Sequence, residues 1–382
     1  MKRILLCGYG NINRTFSKIL QEQEPEDSYS ITVCERKEGH EILSWLPLHH
    51  EEVDVVVNAC TSDTLPIMEL CMELGLDYID VGIDDSEDSF NGSRQSDASY
   101  TAEDSLNILP ELQSRPCHSH VMLGFGINPG ILEHIYVKHK PPYKHLAFEL
   151  EDDDSCSVET PLFGTWSPVM YATESTLFNK FIAYQGRAVN VTAAMNERGP
   201  IVLKGKDGRE RRYVFVPHEE IYSMMNSDEN CEGCGYLFQM VPTLQQYCLD
   251  HGKDMKLEEV RRIPVLRHCQ GEDKVGMLFW EVNEDGTLAD RNYWIYNRTA
   301  NEDTWQRYGE NSVCWQTATG LWVAYRLLDR VSTDHAHTMT ELAAQHSEYI
   351  DQLLAQIGLG FERMDRVFDK QQFEREVKTW FV

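Results

Sequence analysis

The 382-residue sequence contains no uninterrupted apolar run of 18 residues, so no membrane helix is expected. The apolar part of Met1-Lys2-Arg3-Ile4-Leu5-Leu6-Cys7 is too short for a secretory leader. Basic residues are scarce: 35 Lys and Arg stand against 62 Asp and Glu, a net charge of −27. Phosphate contacts need Lys and Arg, so neither nucleic acid nor an anionic membrane surface is an expected partner. A cationic small molecule fits that balance, although acidity also serves solubility. There is no Gly-rich loop ending in Lys-Ser/Thr and no Gly-x-Ser-x-Gly elbow, which argues against phosphoryl transfer and a serine acyl enzyme. Internal repeats and low-complexity blocks are also missing.

The 11 cysteines are an odd number, and several sit inside apolar strand-like runs. They read as reduced, core-type thiols of a cytoplasmic protein. Cys231-Glu232-Gly233-Cys234 has metal-ligand spacing, but a structural zinc wants two further ligands. Cys248 and His251 follow nearby in sequence and leave such a site open, but the expectation is unremarkable thiols and no metal. Composition is otherwise ordinary, with 42% apolar and 25% charged residues.

The first third alternates strand and helix. Residues 2–7, 29–34, 53–58, 78–82 and 120–124 read as short, continuously apolar strands. Helical patterns run from the Gly8-Tyr9-Gly10 turn through Leu20, over 64–74 and over 102–114. Continuous apolar strands separated by helices predict a parallel sheet covered on both faces, the Rossmann-type α/β class. Residues 84–101, acidic and rich in Ser, Asp and Asn, read as an excursion, a candidate lid.

After Gly130 the pattern changes. Segments 145–151, 187–194, 200–204, 211–216 and 275–282 alternate as strands, with turns at Lys206-Asp207-Gly208 and Glu284-Asp285-Gly286. They predict a mixed, largely antiparallel α+β second domain. A long helix is expected at 311–330, packing back on the first domain. The expected boundaries are 1–127 for dinucleotide binding, 128–310 for substrate, and 331–382 as a helical extension.

Gly8-x-Gly10 follows a strand and opens a helix, the context in which backbone N–H groups meet a pyrophosphate. The third position of the fingerprint is Asn13 rather than Gly or Ala. Glu35 ends the second strand, where an acid bonds both ribose hydroxyls. Arg36 and Lys37 keep a 2′-phosphate open; an intact Glu repels it, so NAD is favoured over NADP.

Asp54-Val55-Val56-Val57-Asn58-Ala59-Cys60, Ile67-Met68-Glu69-Leu70-Cys71, Tyr78-Ile79-Asp80 and Gly82-Ile83-Asp84 resemble the saccharopine-dehydrogenase-like superfamily. Within it, the bacterial homospermidine synthases are the closest likeness. Gly126-Ile127-Asn128-Pro129-Gly130 resembles their turn into the substrate domain, and Gly164-Thr165-Trp166-Ser167 their Asn-Thr-Trp-Ser segment. Val216-Pro217-His218-Glu219-Glu220 resembles their Thr-His-Asn-Glu-Ala, and Glu272-Asp273 an acid pair before a strand. Gly164 in place of Asn, and Asp84 followed by Asp85-Ser86, depart from the pattern.

The resemblance implies a nicotinamide-dependent, redox-neutral transfer between amines such as putrescine, in a homodimer. His218, Glu174, Asp84 and Trp166 are the implied catalytic residues: a proton relay, two ammonium-binding acids and a cationic platform. Asn128, Glu272 and Asp273 would bind substrate. Gly8, Gly10, Asn11, Ile12, Glu35, Thr61, Asn128 and Pro129 would hold the cofactor. Two other readings are a reductive amination like that of saccharopine and carboxynorspermidine dehydrogenases, and a catalytically silent nucleotide-binding protein. The former needs a carboxylate clamp, for which Lys180, Arg187 and Arg298 are candidates.

Overall fold

A computed structural model describes residues 1–35, 41–60, 64–82, 110–176, 180–216 and 218–381, with 173–176 and 253 in backbone only. Thr61, Asp84, the 84–101 excursion and most of the helix expected at 102–114 lie outside the described residues. The chain divides into two compact units. Among the described residues, the first comprises 1–82, 110–134 and 303–359, and the second comprises 135–302 and 360–381.

The first unit holds six described parallel strands: β1 (Lys2–Cys7), β2 (Tyr29–Cys34), β3 (Val55–Asn58), β4 (Asp77–Asp80), β5 (Val121–Met122) and β14 (Ala336–His337). Their order is β14-β5-β4-β3-β1-β2. All four residues of β3 are buried, as are the last four of β1, which explains their unbroken apolar runs. The sheet is the predicted Rossmann-type α/β layer.

Helix Ser312–Leu327 belongs to this unit. Asn311 caps it, its side-chain oxygen accepting from the Cys314 N–H at 2.9 Å. The helix comes within backbone distance of the 126–130 turn at Gly320. A Cβ there would lie 2.1 Å from the Gly126 carbonyl oxygen. The turn has its own constraint at Gly130, whose φ is +127° and whose Cβ would sit 2.4 Å from that same oxygen.

The second unit contains β6 (His145–Asp153), β7 (Phe181–Tyr184), β8 (Arg187–Asn190), β9 (Ile201–Lys204), β10 (Glu210–Val216), β11 (Cys231–Gln239), β12 (Glu272–Val282), β13 (Leu288–Ala300) and β15 (Glu362–Asp365). The main order is β15-β13-β12-β6-β11-β10-β9, with β7 pairing β11 and β8. Only β6 and β11 run parallel; the other described pairs are antiparallel. The mixed, largely antiparallel domain is therefore as predicted. β6 lies between β11 and β12, and all nine of its residues are buried.

Two expected boundaries need correction. Residues 128–134 belong to the first unit, since Gly126 and Gly130 bridge and the following turn is built with them. The stretch 331–382 is not one helical extension. Its β14 joins the first sheet beside β5, and helix Met339–Ile357 stays with that unit. Gly358 ends the helix at φ +86°, after which β15 pairs with β13 in the second sheet. Phe373 then stacks on Trp280 at 4.2 Å, and Phe381 meets Phe148 edge-on at 5.5 Å. Apolar residues of the tail decide this: Phe373 and Phe381 are 0% and 2% exposed because they roof the second sheet.

Gly320→Ala forces a methyl against the Gly126 backbone, which cannot rotate away. It is expected to destabilise the chain by about 1–3 kcal/mol, read as a lower urea midpoint with unchanged slope.

Candidate functional site

Each unit carries one cluster of predicted residues. In the first, the turn after β1 is held from both sides. Gly8 adopts φ +72° and its N–H donates to the Cys34 carbonyl at 2.8 Å. Asn13, at the expected third glycine, is buried and its amide donates to the carbonyls of Cys7 at 2.9 Å and Gly8 at 3.0 Å. The departure from the fingerprint is thus a brace on the turn rather than a loss of it. Gly10 precedes helix Asn11–Gln23, whose N-terminus has no side-chain cap and no acid in its first turn. A Cβ on Gly10 would meet nothing within 4 Å, so the backbone there is open to an approaching group.

Glu35 is placed at this turn: its Oε1 accepts from the Tyr9 N–H at 3.1 Å. Ile12 is half-buried. Asn11 accepts from Arg14. Sequence reasoning missed Arg14, whose guanidinium also donates to the buried Glu310 at 3.1 Å and to the Tyr9 carbonyl at 3.3 Å. Its spacing, one helical turn from Gly10, was the available signal. An uncapped helix N-terminus, open space at Gly10 and an acid fixed at the end of β2 fit a dinucleotide. In the same unit, the Asn128 side-chain nitrogen is buried and meets no acceptor among the described residues. Asn128 and Pro129 are joined by a cis peptide bond in the turn that ends at Gly130.

In the second unit, β6 carries its acids on both faces of the sheet by strand alternation. Asp152 and Asp154 face one side with Arg211, Tyr213 and Lys274. Arg211 Nε lies 3.1 Å from Asp152, and its Nη2 lies 3.2 Å from Asp154 and 2.7 Å from Asp207. The Tyr213 hydroxyl donates to Asp152. Burial pushes the Asp152 carboxyl up to about 6, against the pull of Arg211. Glu272 belongs to this network. It is held by Lys274 at 2.8 Å and Arg298 at 2.6 Å.

Glu149, Glu151 and Asp153 point to the opposite face, with Tyr236 and Phe238 of β11 and Asp273 of β12 in register. Glu149 and Asp153 are 0% exposed, Asp273 1% and Glu151 5%. The Tyr236 hydroxyl donates to Glu151. Thr165 Oγ1 donates to Asp153 at 2.7 Å, and burial raises the Asp153 carboxyl above its ordinary range. Asp273 stands directly opposite Asp153 across the strands, an arrangement that costs free energy if both are charged.

His218 and Glu220 come over this face from the start of helix Glu220–Asn226. His218 Nδ1 lies 2.7 Å from Glu220 Oε1, and its ring meets Tyr236 at 4.7 Å. One ligand atom each from Glu149, His218 and Glu220 lie within 4.8 Å of one another. Tyr171, from helix Pro168–Thr176, stacks on Phe238 at 5.5 Å and shares a 2.7 Å hydrogen bond with Thr165. Trp166, half-exposed, packs edge-on against Tyr171 at 5.3 Å.

The structure therefore assembles His218, Asp273 and Trp166 around one acidic face, and adds Glu149, Glu151, Asp153, Glu220, Thr165, Tyr171 and Tyr236. Their signal in the sequence was the run Glu149-Leu150-Glu151-Asp152-Asp153-Asp154, polar residues inside an otherwise apolar strand. The expected pairing of Glu272 with Asp273 is corrected: adjacent strand residues face opposite ways, and Glu272 is already matched by Lys274 and Arg298. Glu174 lies in helix Pro168–Thr176, its side chain outside the description; Asp84 and Thr61 are outside it entirely. Of the three candidate carboxylate clamps, Arg298 is engaged by Glu272, Arg187 is exposed on β8, and Lys180 is 3% exposed. Burial lowers the Lys180 ammonium to about 8.

No family model and no curated relative matches this sequence. Among solved structures, the apo, histidine-tagged saccharopine dehydrogenase (L-Glu forming) from Saccharomyces cerevisiae superposes with a TM-score of 0.60 at 12% identity, covering 96% of this chain and 100% of that one. An engineered D-amino acid dehydrogenase bound to NADP+ is similar at 13% identity with a TM-score of 0.38, covering 89% and 93%. A hyperthermophilic archaeal homoserine dehydrogenase in complex with NADPH reaches 0.28 at 10%, covering 88% and 100%. The first likeness establishes a shared two-domain fold; the other two are too distant in shape to carry an argument.

Because burial brings the folded Lys180 down to about 8 while the unfolded one keeps the ordinary lysine value of 10.5, the unfolded chain binds more protons between those values. Its burial cost is therefore full below pH 8 and fades as pH rises toward 10.5. Lys180→Met is expected to raise stability at pH 7, with its advantage over wild type shrinking above pH 8 in urea titrations at each pH.

Proposed function

We propose that this chain is a nicotinamide-dependent enzyme of amine metabolism in the saccharopine-dehydrogenase-like group, with a homospermidine-synthase-like reaction. The observation that carries the reading is the acidic face of the second sheet, which carries Glu149, Glu151, Asp153 and Asp273, with Glu220 and His218 beside Glu149; all five acids are at most 5% exposed. Carboxylates gathered on one buried face match a substrate with two or more ammonium groups, because attraction between opposite charges is stronger away from water. The cations Arg211, Lys274 and Arg298 are committed to the other face or to Glu272, which disfavours a dicarboxylate substrate of the saccharopine type.

The dinucleotide would be held by the Gly8–Gly10 turn, the N-terminus of helix Asn11–Gln23 and Glu35, with the unused Asn128 amide as a further donor. When bound, nicotinamide supplies hydride removal from an amine-bearing carbon and its later return. The chain's own residues do the rest. Glu151 and Asp153 hold the remote ammonium; the faces of Trp166 and Tyr171 favour a cation beside them by about 0.5–2 kcal/mol. His218, oriented through Nδ1 by Glu220, carries Nε2 as the proton acceptor that leaves the attacking amine neutral. Excluding water keeps the intermediate imine from hydrolysing. NAD is preferred to NADP because Glu35 repels a 2′-phosphate. The expected assembly is a homodimer.

Purified protein mixed with NAD+ and putrescine alone is expected to give homospermidine and ammonia by mass spectrometry, with no net NADH. Absence of product, with NAD(P)H oxidised only when amine and a carbonyl acid are both supplied, would overturn the synthase reading in favour of reductive amination. His218→Ala should lower kcat by about 10²–10⁴-fold while leaving nucleotide binding intact. Unchanged turnover in that variant would remove His218 from the chemistry.

A further inference from the structure

The acidic face leaves one group of reactive side chains unused, at the other end of β11. Three residues apart on a regular strand, Cys231 and Cys234 would face opposite sides of the sheet. They do not. Cys231 pairs with His145, Gly233 with Leu146 and Cys234 with Ala147, so Glu232 is an extra residue in a β-bulge. His145 and Ala147 share a face, and the bulge brings both thiols onto it as near neighbours. Gly233 is required there, because a Cβ would lie 2.6 Å from the Phe381 ring.

His145 completes the group. It is 0% exposed, and its Nδ1–H donates to the Tyr143 carbonyl at 2.8 Å, which leaves Nε2 with its lone pair. That Nε2 meets no hydrogen-bond partner among the described residues. The Cys234 thiol, the His145 ring and the Tyr136 hydroxyl all favour the Cys231 thiolate, and together they pull it down to about 6. Burial pushes the Cys234 thiol the other way, up. Cys231 keeps 7% exposure and Cys234 none, so Cys231 is the nearer of the two residues to solvent. Burial at that level excludes a protein or peptide disulfide as oxidant and admits a small peroxide.

We propose that Cys231, Cys234 and His145 form a reversible dithiol site that reacts with hydrogen peroxide to close a Cys231–Cys234 disulfide. His145 Nε2 takes the Cys231 proton. The Cys231 sulfur attacks one peroxide oxygen, an S–O bond forms, and the O–O bond breaks. The departing hydroxide recovers the proton from His145 as water. The Cys234 sulfur then attacks the sulfenic acid, an S–S bond forms, and the S–O bond breaks with loss of a second water. Two thiols are oxidised and one peroxide is reduced to two waters. This chemistry needs neither nicotinamide nor amine and stands independently of the proposed function.

The test is peptide mass mapping of the intact native protein after limiting hydrogen peroxide, with remaining thiols alkylated after unfolding. The expected product is one peptide lighter by two hydrogens across Cys231 and Cys234, restored by dithiothreitol. It should form about tenfold faster than any oxidation of the exposed Cys156. Cys234→Ser should leave a sulfenic acid on Cys231 that dimedone traps. His145→Gln should slow closure at pH 7 and move its pH dependence upward. Oxidation of Cys156 first, with both Cys231 and Cys234 still alkylated, overturns the proposal, and this wild-type measurement requires no variant to fold.

Discussion

The rest of the second unit is arranged around one constraint: the central strand His145–Asp153 is buried along its whole length and carries carboxylates on both faces. A charge can be buried only if it is paired, hydrogen-bonded or protonated. The two faces meet that demand differently. One uses fixed cations: Arg211 is shared among Asp152, Asp154 and Asp207, and Lys274 bridges Asp154 and Glu272. On the other face Thr165 and Tyr236 donate to Asp153 and Glu151, and His218 meets Glu220. A face held by arginine is already charge-balanced.

In the first unit the equivalent constraint is a turn that must present backbone rather than side chains. Gly8 supplies the positive φ, Gly10 the open approach, and Asn13 ties the carbonyls of Cys7 and Gly8 to the helix that follows. Replacing a third glycine by a hydrogen-bonding amide exchanges close helix–strand packing for a direct brace. Glu35 reaches the same turn through the Tyr9 N–H, so the acid at the end of β2 is placed by the loop it serves.

The acidic face and the Cys231–Cys234 pair share β11. Toward its C-terminal end lie Tyr236 and the acidic face; at its start lies the bulge that aligns Cys231 with Cys234. One extra residue, Glu232, separates these fates. Without the register shift the cysteines would point apart, and the alternation that brings Tyr236 opposite Glu149 would be reversed.

The sequence by itself determined the layer that is read through periodicity. Continuous apolar strands alternating with helices specify a buried parallel sheet, and Gly8-x-Gly10 specifies the turn between the first strand and helix, because both depend on neighbours close in the chain. The mixed second sheet was also legible from alternating segments and Gly turns. Three things were decided only by tertiary structure. The tail 331–382 divides between two sheets, because the partners of Ala336 and Phe373 are Val121 and Trp280, far away in sequence. The Glu272–Asp273 pair splits across a sheet, because a strand sends successive side chains to opposite faces and Lys274 and Arg298 wait on only one. The acidic face itself joins β6, β11, β12 and the start of a helix, groups separated by up to 124 residues between Glu149 and Asp273. No local pattern encodes that meeting; the β6–β11 and β6–β12 registers do.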